Sequence, residues 1–377
     1  MTNRISVDQS GNLFPELLPP FTLDGQERSA LTADCRKIAE GTPFTDLDSN
    51  AALSSMVSGA RHLPARLVEE LTHFRWTSND HGALVISGLP LDPVLPDTPT
   101  DEDKLPSRQP ADIPICTTVQ LLILSVLGDL ISYAEEKAGA LVQDVVPKPG
   151  MEARQENVGS SLLELHTENG FHPTRPDFIT LLCLRPDRDD RAQTVVAGMR
   201  HALPLVSRDA IEILRQPYFR VAYSSSFVGP GKRVYCDPIP VLSDSGGAES
   251  MVVDLHGMEA TTVSAQTALT ELFDALRQSV VGVRLRPGDL LVVDNRTAVH
   301  GRTAFVPRFD GCDRWLRRAF AINDLRRSEA GRPPYSRVIR RSVPPHVSRL
   351  SGADTHTREG SRDAAHDESG GPLGEGA

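Results

Sequence analysis

Between Phe178 and Ile322 the chain is cut into short apolar runs separated by glycine, proline and aspartate, and this pattern leaves few folds open. The runs are Phe178–Leu184, Arg220–Ser224, Ile239–Leu242, Ser250–Leu255, Val283–Arg286, Asp289–Asp294 and Leu316–Ile322. Two helices are expected among them, one opening at Ser207-Arg-Asp-Ala and one at Ser264-Ala-Gln-Thr, where each serine is suited to cap the first turn. Many short strands with few helices between them imply a jelly-roll or barrel sheet packed by helices.

The N-terminal part reads differently. From Pro64 to Trp76 the apolar positions Leu67, Val68, Leu71 and Phe74 recur at helical spacing. Gly82–Gly88 follows as a short buried strand, Leu91–Ile113 as an irregular loop rich in proline and aspartate, and Thr118 to Lys137 as a long helix ended near Gly139. No internal repeat is present, and the 377 residues suit one domain with elaborations. The expected organisation is a single domain over 1–350, with a helical part to about 140 and a strand-rich core over about 141–330, then a disordered tail over 351–377.

Composition excludes some functions. A net charge of −10 argues against a general affinity for nucleic acid, which needs clustered lysine and arginine. The excess acid suits a cationic substrate but equally serves solubility. The apolar stretch Leu121–Leu127 is broken by Gly128 and Asp129, too short to span a membrane. Met1 to Asp24 lacks the basic and apolar regions of a signal peptide, so a cytoplasmic location is expected. The five cysteines, Cys35, Cys116, Cys183, Cys236 and Cys312, are scattered without C-x-x-C spacing and read as reduced thiols.

Chemistry concentrates in two places. In Leu165-His166-Thr167-Glu168-Asn169 a histidine and a carboxylate stand two apart, so on an extended segment both face one side and can share a metal. A second histidine, His300, follows the strand-like Gly288-Asp289-Leu-Leu-Val-Val-Asp294-Asn295 and would complete a facial triad of the kind that holds non-haem Fe(II). Fourteen residues beyond His300 comes Arg314, whose permanent charge and planar fork suit the distal carboxylate of 2-oxoglutarate.

The blocks His166–Phe178, Gly288–Gly301 and Pro307–Arg318 closely resemble the clavaminate synthase-like Fe(II)/2-oxoglutarate oxygenases, a group that includes arginine, asparagine, lysine and citrulline hydroxylases of peptide-antibiotic pathways. The resemblance spans roughly Gly82 to Arg327. It implies an α+β fold whose core is a double-stranded β-helix, or jelly roll, packed by flanking helices. It further implies that His166, Glu168 and His300 bind Fe(II), and that Arg314 with the Thr194 hydroxyl holds 2-oxoglutarate, with O2 as the second co-substrate. Arg318 then matches the clamp for the substrate α-carboxylate, Glu136 or its neighbour Glu135 the contact to the α-amine, and Asp254 the contact to the far end of the substrate. The arginine hydroxylases carry two aspartates spaced by one residue, whereas Val252 or His256 holds the second place here, a departure from bidentate guanidinium recognition.

The activity expected is hydroxylation, at Cβ or Cγ, of a free L-amino acid with a basic or polar end, such as arginine, lysine, ornithine or citrulline, an amide terminus ranking alongside guanidinium. Desaturation or cyclisation, and a substrate tethered to a carrier protein, are the alternatives within the family. A non-enzymatic jelly-roll binding protein is the alternative outside it. His172 reads as a packed histidine or a donor behind the metal, and His62, His73, His81, His201 and His256 have no ligand-like spacing.

Overall fold

A computed structural model gives the fold and describes residues 14–17, 21–100, 112–229, 231–245 and 248–340. The expected loop Leu91–Ile113 is irregular as far as residue 100, and its part over 101–111 lies outside the described residues, as does the expected tail over 351–377.

Four helices, Gly25–Glu40, Asn50–Gly59, Ala65–Thr77 and Pro114–Leu127, form the N-terminal layer. Asp24 and Glu27 close a reciprocal capping box at the start of the first. Ala65–Thr77 buries the expected stripe of Leu67, Leu71 and Phe74. Pro114–Leu127 is apolar nearly all round, and it lies between the other three helices and the sheet.

The long helix expected from Thr118 to Lys137 stops at Leu127, a correction with a steric cause. A Cβ on Gly128 would stand 2.6 Å from the Ile322 carbonyl oxygen, so only glycine fits where the chain leaves the helix against that strand. From Asp129 to Tyr133 the chain is extended and pairs with Phe320–Ile322. Glu136 therefore follows a strand and is buried, and is not the exposed end of a helix.

A large sheet runs in the order Phe21–Thr22, Ala83–Ser87, Leu290–Asp294, Phe178–Arg185, Trp315–Ile322, Asp129–Tyr133, Val338–Ile339, with Val142–Val145 also paired to Trp315–Ile322. Its side chains alternate between two cores as the pleat requires. Leu84, Ile86, Leu182, Leu290 and Val292 pack with the N-terminal helices. Val85, Ile179, Leu181, Leu291 and Val293 share the second core with Val195, Val196 and Val299 of a smaller sheet.

That smaller sheet is antiparallel throughout, in the order Val281–Val283, Thr194–Gly198, Ala298–Arg302, Leu163–His166. Three of its strands, Leu163–His166, Thr194–Gly198 and Ala298–Arg302, are not among the runs expected from sequence. The helix Arg208–Leu214 opens on Ser207 as expected. The helix Val263–Gln278 begins earlier than Ser264, because the Thr262 hydroxyl accepts from the Ala265 amide and takes the cap. Among the described residues no helix is long and apolar enough to cross a membrane.

Candidate active site

Leu163–His166 lies antiparallel to Ala298–Arg302 with His166 directly opposite His300. Both imidazoles therefore leave the sheet on one face, and their ring centroids are 4.4 Å apart. Glu168 does not continue the strand as period two would have it: the strand ends at His166 and the chain turns, with Asn169 at φ 50°. The turn is held from two sides. The Thr167 hydroxyl accepts from the Val253 amide at 3.0 Å, and the Asn295 side chain accepts from the Glu168 amide at 2.8 Å while donating to the Glu168 carbonyl at 3.0 Å.

One donor atom from each of His166, Glu168 and His300 falls within 4.8 Å of the others, the one such group among the described residues. The His166 Nδ1 faces the Glu164 carbonyl at 2.9 Å; a carbonyl only accepts, so Nδ1 carries a proton and Nε2 is the nitrogen left for a metal. Burial draws the buried His300 imidazole below the ordinary histidine range, and nearby His166 adds to this, so the ring stays neutral. Burial alone would raise the Glu168 carboxyl, yet the Arg318 guanidinium and both imidazoles outweigh it and hold Glu168 well below the usual carboxylate range. Two imidazole nitrogens and a carboxylate on one side of a small gap fit an octahedral Fe(II) held by one face.

Arg314 immediately precedes Trp315–Ile322, is buried, and donates to the Thr194 hydroxyl at 3.0 Å. The structure thus brings together the pair expected for 2-oxoglutarate. No carboxylate forms an ion pair with Arg314 among the described residues, which leaves a desolvated cation suited to an incoming anion. Arg302, which the sequence reading did not single out, is buried beside it, and burial, then repulsion from Arg314, draws its guanidinium down to about 9. The signal was present: Arg302 stands two after His300 on an extended segment and so shares its face.

Arg318 lies four residues on, where its guanidinium donates to Glu168 at 2.7 Å and to the Gln143 side chain at 3.2 Å, with the Glu136 carboxylate at 3.5 Å. Burial raises the Glu136 carboxyl; Arg318 opposes this and Glu168 adds to it. Asn169 donates to Glu136 at 3.4 Å. Of the two adjacent candidates, Glu136 joins the Arg318 cluster and lines the cavity, whereas Glu135 does neither. Asp254 bridges to His166 across a β-pair and lines a cavity of about 680 Å³ with Glu136, Asn157, Glu168 and Arg318. Gln143 and Asn157 carry no motif and enter only through folding.

His172 is a packed residue: its Nδ1 accepts from the Thr174 amide at 2.9 Å, its ring meets Tyr133 edge-on at 4.9 Å, and burial draws it down to about 4. The rings of His81 and His201 lie 4.7 Å apart and tilted by 40° despite their distance in sequence, but no third ligand joins them among the described residues.

Residues 59–320 match the family described as taurine catabolism dioxygenase TauD, TfdA family. The chain is 42% identical over 320 residues to an L-asparagine oxygenase of Streptomyces coelicolor, covering 84% of this chain and 94% of the relative. It is 37% identical over 285 residues to an L-lysine 3-hydroxylase of Catenulispora acidiphila, covering 74% and 78% respectively. A crystal structure of asparagine oxygenase with Fe(II), 2S,3S-3-hydroxyasparagine and succinate superposes with a TM-score of 0.79 at 41% identity, covering 86% of this chain and 99% of that one.

Proposed function

Because this chain belongs to the TauD/TfdA family of dioxygenases, we propose that it hydroxylates free L-asparagine at Cβ. It is an Fe(II)- and 2-oxoglutarate-dependent oxygenase. The assigned roles are those read from the sequence: His166, Glu168 and His300 hold the iron, Arg314 and Thr194 hold the distal carboxylate of 2-oxoglutarate, and Arg318, Glu136 and Asp254 hold the amino acid. The domain reading is a single oxygenase domain over 1–350 with a jelly-roll core, working in the cytoplasm on a small molecule in specialised-metabolite biosynthesis.

The observation that carries the choice of substrate is at Asp254. Its Oδ1 already accepts from the backbone amides of His256 at 2.9 Å and Gly257 at 2.7 Å, which leaves one carboxylate oxygen for a ligand. One acceptor suits a single N–H of a carboxamide better than the paired N–H groups of guanidinium. Asp254 is also the β-bridge partner of His166, so its backbone lies beside a metal ligand, which suits a short substrate side chain. Asparagine, with one methylene before its amide, meets both requirements. The basic amino acids expected first from sequence, arginine, lysine, ornithine and citrulline, are longer. The relative of highest identity quoted above is named for asparagine.

Iron held by His166, Glu168 and His300 would supply O2 activation coupled to decarboxylation of 2-oxoglutarate, so that one O2 gives succinate, CO2 and the hydroxylated amino acid. The protein contributes orientation. Arg318 takes the substrate α-carboxylate, Glu136 takes the α-ammonium, and Asp254 takes the amide, so that Cβ faces the metal. Glu168 keeps one coordination place filled by protein, which disfavours halide binding and halogenation.

The test is a panel of free amino acids incubated with Fe(II), 2-oxoglutarate and ascorbate. Asparagine should gain one oxygen and release one equivalent of succinate, and Asp254→Ala should lose most of that activity. A loss of two hydrogens would instead indicate desaturation or cyclisation. No product from any free amino acid would overturn the reading in favour of a carrier-tethered substrate, and no succinate under any condition would overturn the enzyme itself.

A further inference from the structure

The smaller sheet carries a second buried arginine that the assignment above leaves without a role. Arg302 lies two residues beyond His300 on one strand and directly opposite Thr194 on the next, the threonine whose hydroxyl accepts from Arg314 at 3.0 Å. Its guanidinium is buried; one terminal nitrogen donates to the Ser161 carbonyl at 2.9 Å, and its Nε is buried with no hydrogen-bond partner among the described residues. The two guanidiniums flank one ring, Arg302 at 5.1 Å and Arg314 at 5.9 Å from the Phe305 centroid. Neither forms an ion pair with a carboxylate among the described residues, although each is buried.

Two like charges taken out of water side by side are costly unless an anion joins them. Phe305 offsets a little of this, because a ring face attracts a cation by about 0.5–2 kcal/mol, but it supplies no hydrogen-bond acceptor for the orphaned Nε. A carboxylate placed between the pair would do both. 2-Oxoglutarate brings such a group: its oxo-acid end belongs at the metal, on the face His300 shares with Arg302, and its second carboxylate must lie further along that face.

We propose that Arg302 is a second cation for the distal carboxylate of 2-oxoglutarate, which is then held by two guanidiniums and the Thr194 hydroxyl. This rests on the oxygenase reading and deepens it. Its consequence is selectivity: a 2-oxo acid that lacks the distal carboxylate leaves both buried charges unmatched, so the site discriminates against it far more strongly than one arginine would.

The experiment measures binding without turnover. Calorimetry is run on the full chain loaded with Mn(II), with 2-oxoglutarate and with pyruvate as ligands, for the wild type, Arg302→Gln and Arg314→Gln. Loss of one charge-assisted hydrogen bond should weaken 2-oxoglutarate by about 10- to 100-fold in Arg302→Gln, with pyruvate and Mn(II) affinity unchanged. A loss equal for both ligands means that Arg302 only ties the Ser161 segment in place, and overturns the proposal, as does unchanged 2-oxoglutarate affinity. Where Arg302→Gln does not fold, Arg302→Lys is judged by the same comparison of the two ligands, since it keeps the charge and loses the fork. Arg314→Gln separates the two levels: if it alone weakens 2-oxoglutarate, only the Arg302 role fails, and if neither variant does, the co-substrate site is wrongly placed altogether.

Discussion

Arg314 and Arg318 stand four residues apart, both buried, yet their surroundings differ in kind. Arg314 meets a neutral hydroxyl, whereas Arg318 meets the carboxylates of Glu168 and Glu136. The first is therefore a buried cation with no carboxylate beside it among the described residues, and the charge of the second is matched by protein carboxylates. Arg314→Lys keeps the charge but loses the fork, and should raise the KM for 2-oxoglutarate about 10-fold or more while leaving the KM for the amino acid nearly unchanged. Arg318→Lys should show the reverse split, and an unchanged KM for 2-oxoglutarate in Arg314→Lys would remove that residue from the co-substrate site. His172 gives a second test, of stability. Its folded value of about 4 lies below the ordinary 6.5, so its contribution is fully present above pH 6.5 and is lost as pH falls through that window, where the unfolded chain takes up the proton first. Between pH 7 and pH 5 this amounts to about 2 kcal/mol. Urea titrations of the wild type and His172→Gln should show a pH slope in the first that is reduced in the second, and equal slopes would mean that His172 is not the group responsible.

At the scale of the element, the site depends on a turn more than on a strand. Asn295, just past Leu290–Asp294, accepts from the Glu168 amide and donates to the carbonyls of Glu168 and Pro176, so it fixes the backbone on which the carboxylate ligand sits. Asn295→Ala leaves those buried backbone groups unpaired and should cost about 2–3 kcal/mol. It should also weaken metal binding by about 10- to 100-fold, as loss of groups that orient ligands does elsewhere; a stability loss with undiminished metal affinity would mean that the turn holds its shape without Asn295. The triad was legible in sequence because coordination restricts residue type and spacing, and the pairing of Arg314 with Thr194 came from the resemblance of the surrounding blocks. Asn295, Gln143 and Asn157 were not, since an amide side chain satisfies many environments and the Glu168 and Arg318 partners that bring them to the site lie more than 100 residues away in sequence. The helix boundary at Leu127 was missed for a related reason. Ala134, Glu135, Glu136 and Lys137 are good helix formers, and what overrides them is the long-range pairing of Asp129–Tyr133 with Phe320–Ile322. Thr194–Gly198 and Ala298–Arg302 were overlooked because runs of five residues holding alanine, glycine and histidine carry little strand signal until their neighbours are in place.

For the molecule as a whole, the metal joins parts of the chain that are remote in sequence. His166 and Glu168 come from one edge of the smaller sheet and His300 from the adjacent strand, 300 − 166 = 134 residues later. In the unfolded chain these donors are not preorganised, so the ion binds almost exclusively to the folded form and stabilises it by mass action. At a free concentration about 100 times the dissociation constant, that stabilisation is about 2.7 kcal/mol, which for a domain of this size raises Tm by roughly 5 °C. Mn(II), which is not oxidised during the measurement, is the probe to use, and a chelator should return the transition to that of the metal-free protein. If the dianionic co-substrate is held by the metal and by Arg314 as proposed, 2-oxoglutarate should add a further rise with Mn(II) present and much less without it. His166→Ala and His300→Ala should melt close to the metal-free wild type, show no response to Mn(II) and have no turnover. A melting temperature indifferent to Mn(II) in the wild type, or a full response retained in either alanine variant, would mean that the ion is not held by these strands.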